Sequence, residues 1–413
     1  GAPSGYAPRI MSFSGVVRAP AVARSSYGKL LAILVKQTGD VAQAEDALGD
    51  AFQRALETWP TQGVPPNPEG WLIVTARNRN LDRRKSAAVR RSVPLEAAEH
   101  TTAAVDDLDP DSIPDERLRL LFLCAHPAID ASVHTPLMLQ TVLGLNAEQI
   151  AEILLVPSAT VSQRLVRAKR KIKAARIPFE LPARSEMRSR LDAVLEAIYG
   201  SYSAGWLDAT RESISESVFL VDVLSTLMPD EAEVLGLQAL IDFSVARRDA
   251  RLSPSGDFVP LDEQDPSRWS RRRIERGLST LARAREMKRI GRFQLEAAIQ
   301  SVHCERAFSR DTDWPAVVTL YDALVRLYPS RGAQVARAAA LGQAMGAKAG
   351  LHALLMLPEA ERVDYQPALV TEAHLRGRLG EKDRAVELFN DAVAATKDLR
   401  IARYLERVRN ELG

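Results

Sequence analysis

At 413 residues the chain has room for two or three domains at a prior of ~150 residues each, and its 46% hydrophobic and 26% charged residues exclude wholesale disorder. Uncharged apolar runs such as Leu30–Val35 fall far short of the ~20 residues of a membrane span. No basic-then-apolar leader opens the chain, so no membrane partner and a cytoplasmic address are expected. The two cysteines lie 180 positions apart, the histidines never fall in ligand spacing, and no phosphate-loop, zinc-protease or nucleophile-elbow motif occurs. The sequence therefore predicts no metal, no cofactor and no enzyme.

The net charge of +2 conceals a segregation. Arg77, Arg79, Arg83, Arg84, Lys85, Arg90 and Arg91 crowd one stretch with a single acid, Asp82. Arg164, Arg167, Lys169, Arg170, Lys171, Lys173 and Arg176 crowd another with no acid at all. Between them, residues 93–116 carry eight acids and no Lys or Arg. Two cationic patches suit phosphate backbones, whose binding is electrostatic; either patch alone is equally a solvated helix face.

In chain order, Gly1–Ile10 read as an appended remnant ahead of a natural start at Met11. Residues Ala21–Leu56 read as helical. Ala44, Leu48, Ala51, Phe52 and Ala55 form one apolar stripe, and Glu45, Asp46, Gly49, Asp50, Gln53 and Glu57 fall on the other side. A Pro/Gly-rich loop is predicted over Pro60–Pro68, then a helix over Glu69–Lys85 opened by Trp71. Val93–Pro114 has the bias of a linker too polar to bury. Helical periodicity returns from Asp115. Asn146 reads as the N-cap of a short helix Ala147–Leu154, Val156-Pro157-Ser158 as a turn with Ser158 capping, and Ser158–Ala175 as a second helix with Val161, Leu165 and Ala168 inward. Such a helix docks by its apolar stripe and offers its basic face to a groove, the grammar of a helix-turn-helix; the plain alternative is a helical hairpin in a core.

Residues 178–413 read as helical throughout, broken near Ser253–Pro266. Ala316, Leu320 and Ala323 recur as Ala385, Phe389 and Ala392 at an offset of 69 residues, with a degenerate copy at Gly350, Leu354 and Leu357. That offset is about two units of the ~34-residue helical-hairpin period, which predicts tetratricopeptide-like hairpins over a generic bundle.

The run Ala44-Glu45-Asp46-Ala47-Leu48-Gly49-Asp50-Ala51-Phe52, then Gly70-Trp71-Leu72, Ala76-Arg77-Asn78 and Leu81-Asp82-Arg83-Arg84, resembles region 2 of extracytoplasmic-function sigma factors. Ala147–Leu154, Val156-Pro157, Thr160-Val161 and Arg164–Ala168 resemble their region 4. Arg117–Pro127 and Gln163–Ile177 resemble the branch with a long tetratricopeptide-like extension. The resemblance implies an all-α fold: region 2 over 11–92, an acidic linker over 93–113, a region 4 helix-turn-helix over 114–177, and an extension over 178–413 with hairpins from about 295.

The resemblance further implies bacterial core RNA polymerase and promoter DNA as partners. Asp46, Asp50 and Gln53 fall where region 2 grips polymerase. Arg77, Asn78, Asn80, Arg83 and Arg84 fall where it meets the −10 element, after a base-holding loop flanked by Trp59 and Trp71. Ser162, Gln163, Val166 and Arg167 fall on the −35-reading positions, with Arg164, Lys169, Arg170 and Lys173 gripping phosphates. The linker either mimics nucleic acid in a basic channel or only spaces two cationic domains. The extension is expected to take a protein partner or modulate activity. Arg271–Arg273 and Arg276 offer further DNA contacts or a solvated face, and Cys124 and Cys304 read as buried small apolar residues. The rival reading is a helix-turn-helix regulator with a repeat sensor domain, bound to an operator without serving polymerase.

Overall fold

The computed structural model describes residues 14–89, 113–142, 144–154, 156–208, 211–309, 311–396 and 398–412. Among them the secondary structure is helical apart from an isolated bridge between Leu252 and Phe258. Contacts divide the chain into two compact units, residues up to 223 and residues from 224. The acidic linker lies outside the described residues up to 112.

The first unit opens with α1 (Ser14–Thr38), α2 (Val41–Gln62) and α3 (Pro68–Val89), packed on one another. The helical stretch predicted over 21–56 is divided at Gly39, whose φ of 66° only glycine adopts readily. Asp40 then caps α2, its carboxylate accepting from the Gln43 amide at 3.2 Å. Along α2 the residues Val41, Ala44, Ala47, Leu48, Ala51, Ala55 and Trp59 are buried. The helix continues through Pro60 to Gln62, so the loop starts later than its composition predicts; a proline in the last turn forfeits one bond only.

Next come α4 (Ile113–Cys124), α5 (Ala131–Thr141), α6 (Ala147–Leu154) and α7 (Ser158–Ala175). Asn146 and Gln149 cap α6 reciprocally: the Gln149 amide donates to Asn146 Oδ1 at 2.9 Å and the Asn146 amide to Gln149 Oε1 at 3.0 Å. Helix α7 has the span its pattern predicts, with Val161, Leu165, Ala168 and Ile172 buried. Its N-cap is Pro157 rather than Ser158, with no side-chain cap. Beyond residue 177, α8 (Arg184–Asp208) packs on α4 and α5, and Arg190 donates to the Phe122 carbonyl at 3.1 Å. Helix α9 (Arg211–Leu227) follows.

In the second unit α10 (Ala232–Ala246) is buried on nearly every face against α11 (Arg271–Glu286) and α12 (Arg292–Cys304). Asp242 on α10 is fully buried and held by Arg273 at 3.0 Å and Arg276 at 2.6 Å. These two arginines are thus structural, neither DNA-facing nor merely solvated. After α13 (Arg306–Ser309), three hairpins follow: α14 (Trp314–Leu327) with α15 (Arg331–Ala344), α16 (Ala347–Leu355) with α18 (Gln366–Arg378), and α19 (Lys382–Ala395) with α20 (Leu399–Leu412). A single turn, α17 (Glu359–Arg362), interrupts the second. Each copy of the sequence repeat lies at the first helix of one hairpin. Ala385, Phe389 and Ala392 are buried, as are Gly350, Leu354 and Leu357. Gly350 is obligatory: a Cβ there would stand 2.7 Å from the Ala338 carbonyl oxygen across the α15–α16 contact.

The loop over 251–265 reaches the last helix. Asp257 pairs with Arg403 at 2.8 Å, Glu263 with Arg407 at 3.1 Å, and Phe258 stands edge-on to Tyr404 with centroids 5.6 Å apart.

Candidate nucleic-acid interface

Helix α7 carries the main candidate surface. Its inward stripe at 161, 165, 168 and 172 leaves Ser162, Gln163, Arg164, Val166, Arg167 and Arg170 exposed. Val166 is 48% exposed on this polar face, an apolar contact of methyl size offered to solvent. Positions 162, 163, 166 and 167 share one side of the helix by its 3.6-residue turn.

The remaining two cations of the set are paired with carboxylates of the first module, Lys169 covered and Lys173 still exposed. Lys169 pairs with Glu45 of α2, the two side chains only 13% and 15% exposed. Lys173 pairs with Asp40 at 2.7 Å. Burial raises the Asp40 carboxyl, but the Lys173 ammonium and the Gln43 and Ala42 amides outweigh it and hold it below the usual carboxylate range. Burial pushes Glu45 the other way, above its ordinary value, against the pull of Lys169. The sequence pattern sets Glu45 on the side of α2 opposite its apolar stripe; the structure covers that residue with α7. An amphipathic pattern locates the side of a helix that leaves its own module's core, not a second module on top of it.

On α2, Asp46 and Gln53 are exposed and Asp50 is half-buried, opposite Ala47, Leu48 and Ala51. The Gln53 amide donates to Glu57 at 3.1 Å. On α3, Arg77 is half-buried with Nε donating to Gln37 at 2.9 Å, and Asn78 is exposed. Asn80, Arg83 and Arg84 continue along α3, their side chains outside the described residues. Trp59 and Trp71 meet edge-on at 5.5 Å across the base of the 63–67 loop. Trp59 is buried with its indole N–H unpartnered, and Trp71 is half-buried. Both therefore anchor the loop.

Sequence reasoning also missed Gly28 and Tyr27 of α1. A Cβ on Gly28 would lie 1.8 Å from the Val142 carbonyl oxygen at the end of α5, and one on Gly144 would lie 2.8 Å from the Tyr27 ring. The three-helix module of α1–α3 and the α4–α7 module thus touch backbone to backbone. A glycine inside a helix is the one trace of this in the sequence. Both cysteines are buried; burial pushes the Cys124 thiol up to about 12 even with the Thr141 hydroxyl at 3.3 Å, which leaves it inert. Among the described residues, no helix is long and apolar enough to cross a membrane.

Comparison with known proteins matches this anatomy. Residues 22–90 match the family Sigma-70 region 2, residues 119–172 match Sigma-70, region 4, and residues 190–285 match a family of unknown function, DUF6596. An uncharacterized protein of Rhizobium meliloti (strain 1021) is 32% identical over 403 residues, covering 94% of each chain. The probable ECF RNA polymerase sigma factor SigI of Mycobacterium tuberculosis is 32% identical over 47% of this chain and 66% of its own. The ECF RNA polymerase sigma factor SigL of the same species is 30% identical over 37% of this chain and 88% of its own. Among solved structures, yeast Tom70 aligns with 96% of this chain and 84% of its own at 12% identity and a TM-score of 0.32. The two sigma modules in order, and a sigma factor matched over most of its length, decide the family: the chain belongs to the extracytoplasmic-function (ECF) RNA polymerase sigma factors, with a long helical-repeat extension beyond region 4.

Proposed function

We propose that the chain binds bacterial core RNA polymerase and directs promoter-specific initiation in the cytoplasm, α3 meeting the −10 element and α7 reading the −35 element. Asp46, Asp50 and Gln53 meet polymerase. Arg77, Asn78, Asn80, Arg83 and Arg84 meet the −10 strand. Gln163 suits adenine, Arg167 guanine and Val166 a thymine methyl, with Ser162 beside them, while Arg164 and Arg170 take phosphates, and Lys169 and Lys173 do so only where their pairs with Glu45 and Asp40 part. The extension receives a protein partner that modulates this activity.

The observation that carries the reading is the exposed, acid-free face of α7 behind an intact helix-turn-helix, in a chain whose other sigma module is also present. Run-off transcription with sigma-free core polymerase tests it. The chain should start transcripts at a defined site on bacterial DNA. If transcripts never exceed the core-only background while the protein still binds duplex, it is an operator-binding regulator instead.

A further inference from the structure

The 251–265 loop crosses the hairpin stack of the extension. The Val259 amide donates to the Arg251 carbonyl at 2.8 Å, so the chain folds over through Gly256, whose φ is 84°. The returning strand of the loop then meets α13, where Arg306 donates to the carbonyls of Leu261 at 2.6 Å, Asp262 at 3.1 Å and Gln264 at 3.3 Å. Glu263, in the same stretch, meets Arg407 of α20 at 3.1 Å. Asp262 and Glu263 also act on His374 of α18, where their charge opposes the burial that lowers its imidazole. Neighbouring residues of one short loop thus reach the start, the middle and the end of the stack. A stack that brings its two ends to one segment curls around it, and the concave side of stacked hairpins is the side suited to a peptide.

The contacts made there have the chemistry of recognition rather than of a core. Tyr404 stands edge-on to Phe258, while Arg403 and Arg407, one turn apart on α20, hold Asp257 and Glu263. The four charged side chains are between 45% and 52% exposed, so each pair is weak. A segment of the same chain needs little affinity to stay in place, because its local concentration is on the order of millimolar.

We propose that the inner face built by α13, α18 and α20 is a binding site for an acidic protein segment that carries an aromatic ring between its carboxylates, and that the 251–265 loop is the resident occupant this partner displaces. The proposal rests on the reading that the extension receives a protein partner, and it supplies that partner's chemistry. Two carboxylates answer Arg403 and Arg407, a ring answers Tyr404, and backbone carbonyls answer Arg306. The loop itself is the template, with Asp257 before Phe258, and Asp262 and Glu263 after it.

The probe is a fluorescein-labelled peptide of residues 251–265, titrated by anisotropy into the full chain without polymerase. In the wild type the loop already fills the site. Asp257→Asn, Phe258→Ala and Glu263→Gln together loosen it and touch no buried apolar residue. This triple variant should take the peptide about tenfold tighter than the wild type, because a local competitor is gone. Adding Arg403→Ala and Arg407→Ala should abolish that gain. A peptide whose Asp and Glu are all replaced by Asn and Gln should bind neither protein. Circular dichroism verifies the fold of each variant, and the wild type supplies a second readout: excess peptide should speed amide exchange across its own 251–265 loop. Equal affinity of wild type and folded triple variant overturns the proposal. So does capture of the acid-free peptide as tightly as the acidic one, or a wild-type loop whose exchange ignores the peptide. A parallel run-off assay with core polymerase keeps the two ideas apart. If the holoenzyme initiates while the peptide results fail, this site alone falls; if it never initiates while the peptide binds as expected, the sigma reading falls and the site stands.

Discussion

The charged groups buried in the second unit set up opposite costs for removing either side of a pair. Asp242 is fully buried, while Arg273 and Arg276 are 35% and 41% exposed at their side chains. Without Asp242 the two guanidiniums still reach water. Without the arginines the carboxylate is stranded, and a stranded buried charge costs about 3–5 kcal/mol. Asp242→Ala should therefore lower unfolding stability by less than the double Arg273→Ala, Arg276→Ala variant, a ranking that urea denaturation reads directly. His303 makes a pH prediction. Burial, then Arg247 and Arg306, lowers its imidazole to about 4, so the folded chain binds no proton there where the unfolded chain does. Stability present above the ordinary value of ~6.5 is lost as pH falls toward 4, by roughly 3 kcal/mol at most. Thermal melts at pH 7 and pH 5 should diverge less for His303→Gln than for the wild type. On α7, Arg167→Ala should cost about 1–3 kcal/mol at its own base pair and relax specificity there. Arg170→Ala should weaken binding evenly across sequences and reduce the salt slope by about one; a position-by-position binding matrix for both variants tells them apart.

At the scale of helices, local signals proved readable where their partners are local. The limits of α7 follow from its own stripe and the preceding Val156-Pro157, and the α6 start follows from Asn146. The eight-residue α6 depends on that reciprocal cap, so Asn146→Ala should cost about 1 kcal/mol, seen as a lower melting temperature. The repeat was legible for the same reason, since Phe389 and Ala392 pack against the helices next to theirs in sequence, α18 and α20. What stayed hidden depends on residues far along the chain. Glu45 lies 124 positions from Lys169 and Asp242 lies 34 from Arg276, and no periodicity within either helix names such a partner. The candidate site was legible as a list of exposed α7 residues, but not as a set two of whose members are already engaged. Composition alone also placed the end of α2 too early, because one proline in a final turn does not stop a helix held by Trp59 in the core.

At the scale of the whole molecule, segregated charge explains how a chain of net charge +2 answers to salt. Promoter binding by the holoenzyme should weaken steeply between low and physiological salt, while urea stability of the chain alone should change little, because its cores are apolar and its few buried pairs are poorly screened.

The tie between the 251–265 loop and α20 carries a different consequence. Stacked hairpins usually behave as a one-dimensional chain of neighbours that loosens from its free end and survives loss of the last unit. Here Arg403, Arg407 and Tyr404 hold a loop far upstream, Arg403 and its partner Asp257 being 146 positions apart in sequence, so the tail of the array guards its beginning. Trimming α20 would unroof that loop rather than merely shorten the stack. Amide exchange in 251–265 should accelerate when the terminal helix is removed, which makes the far end of this extension a keystone and not a cap.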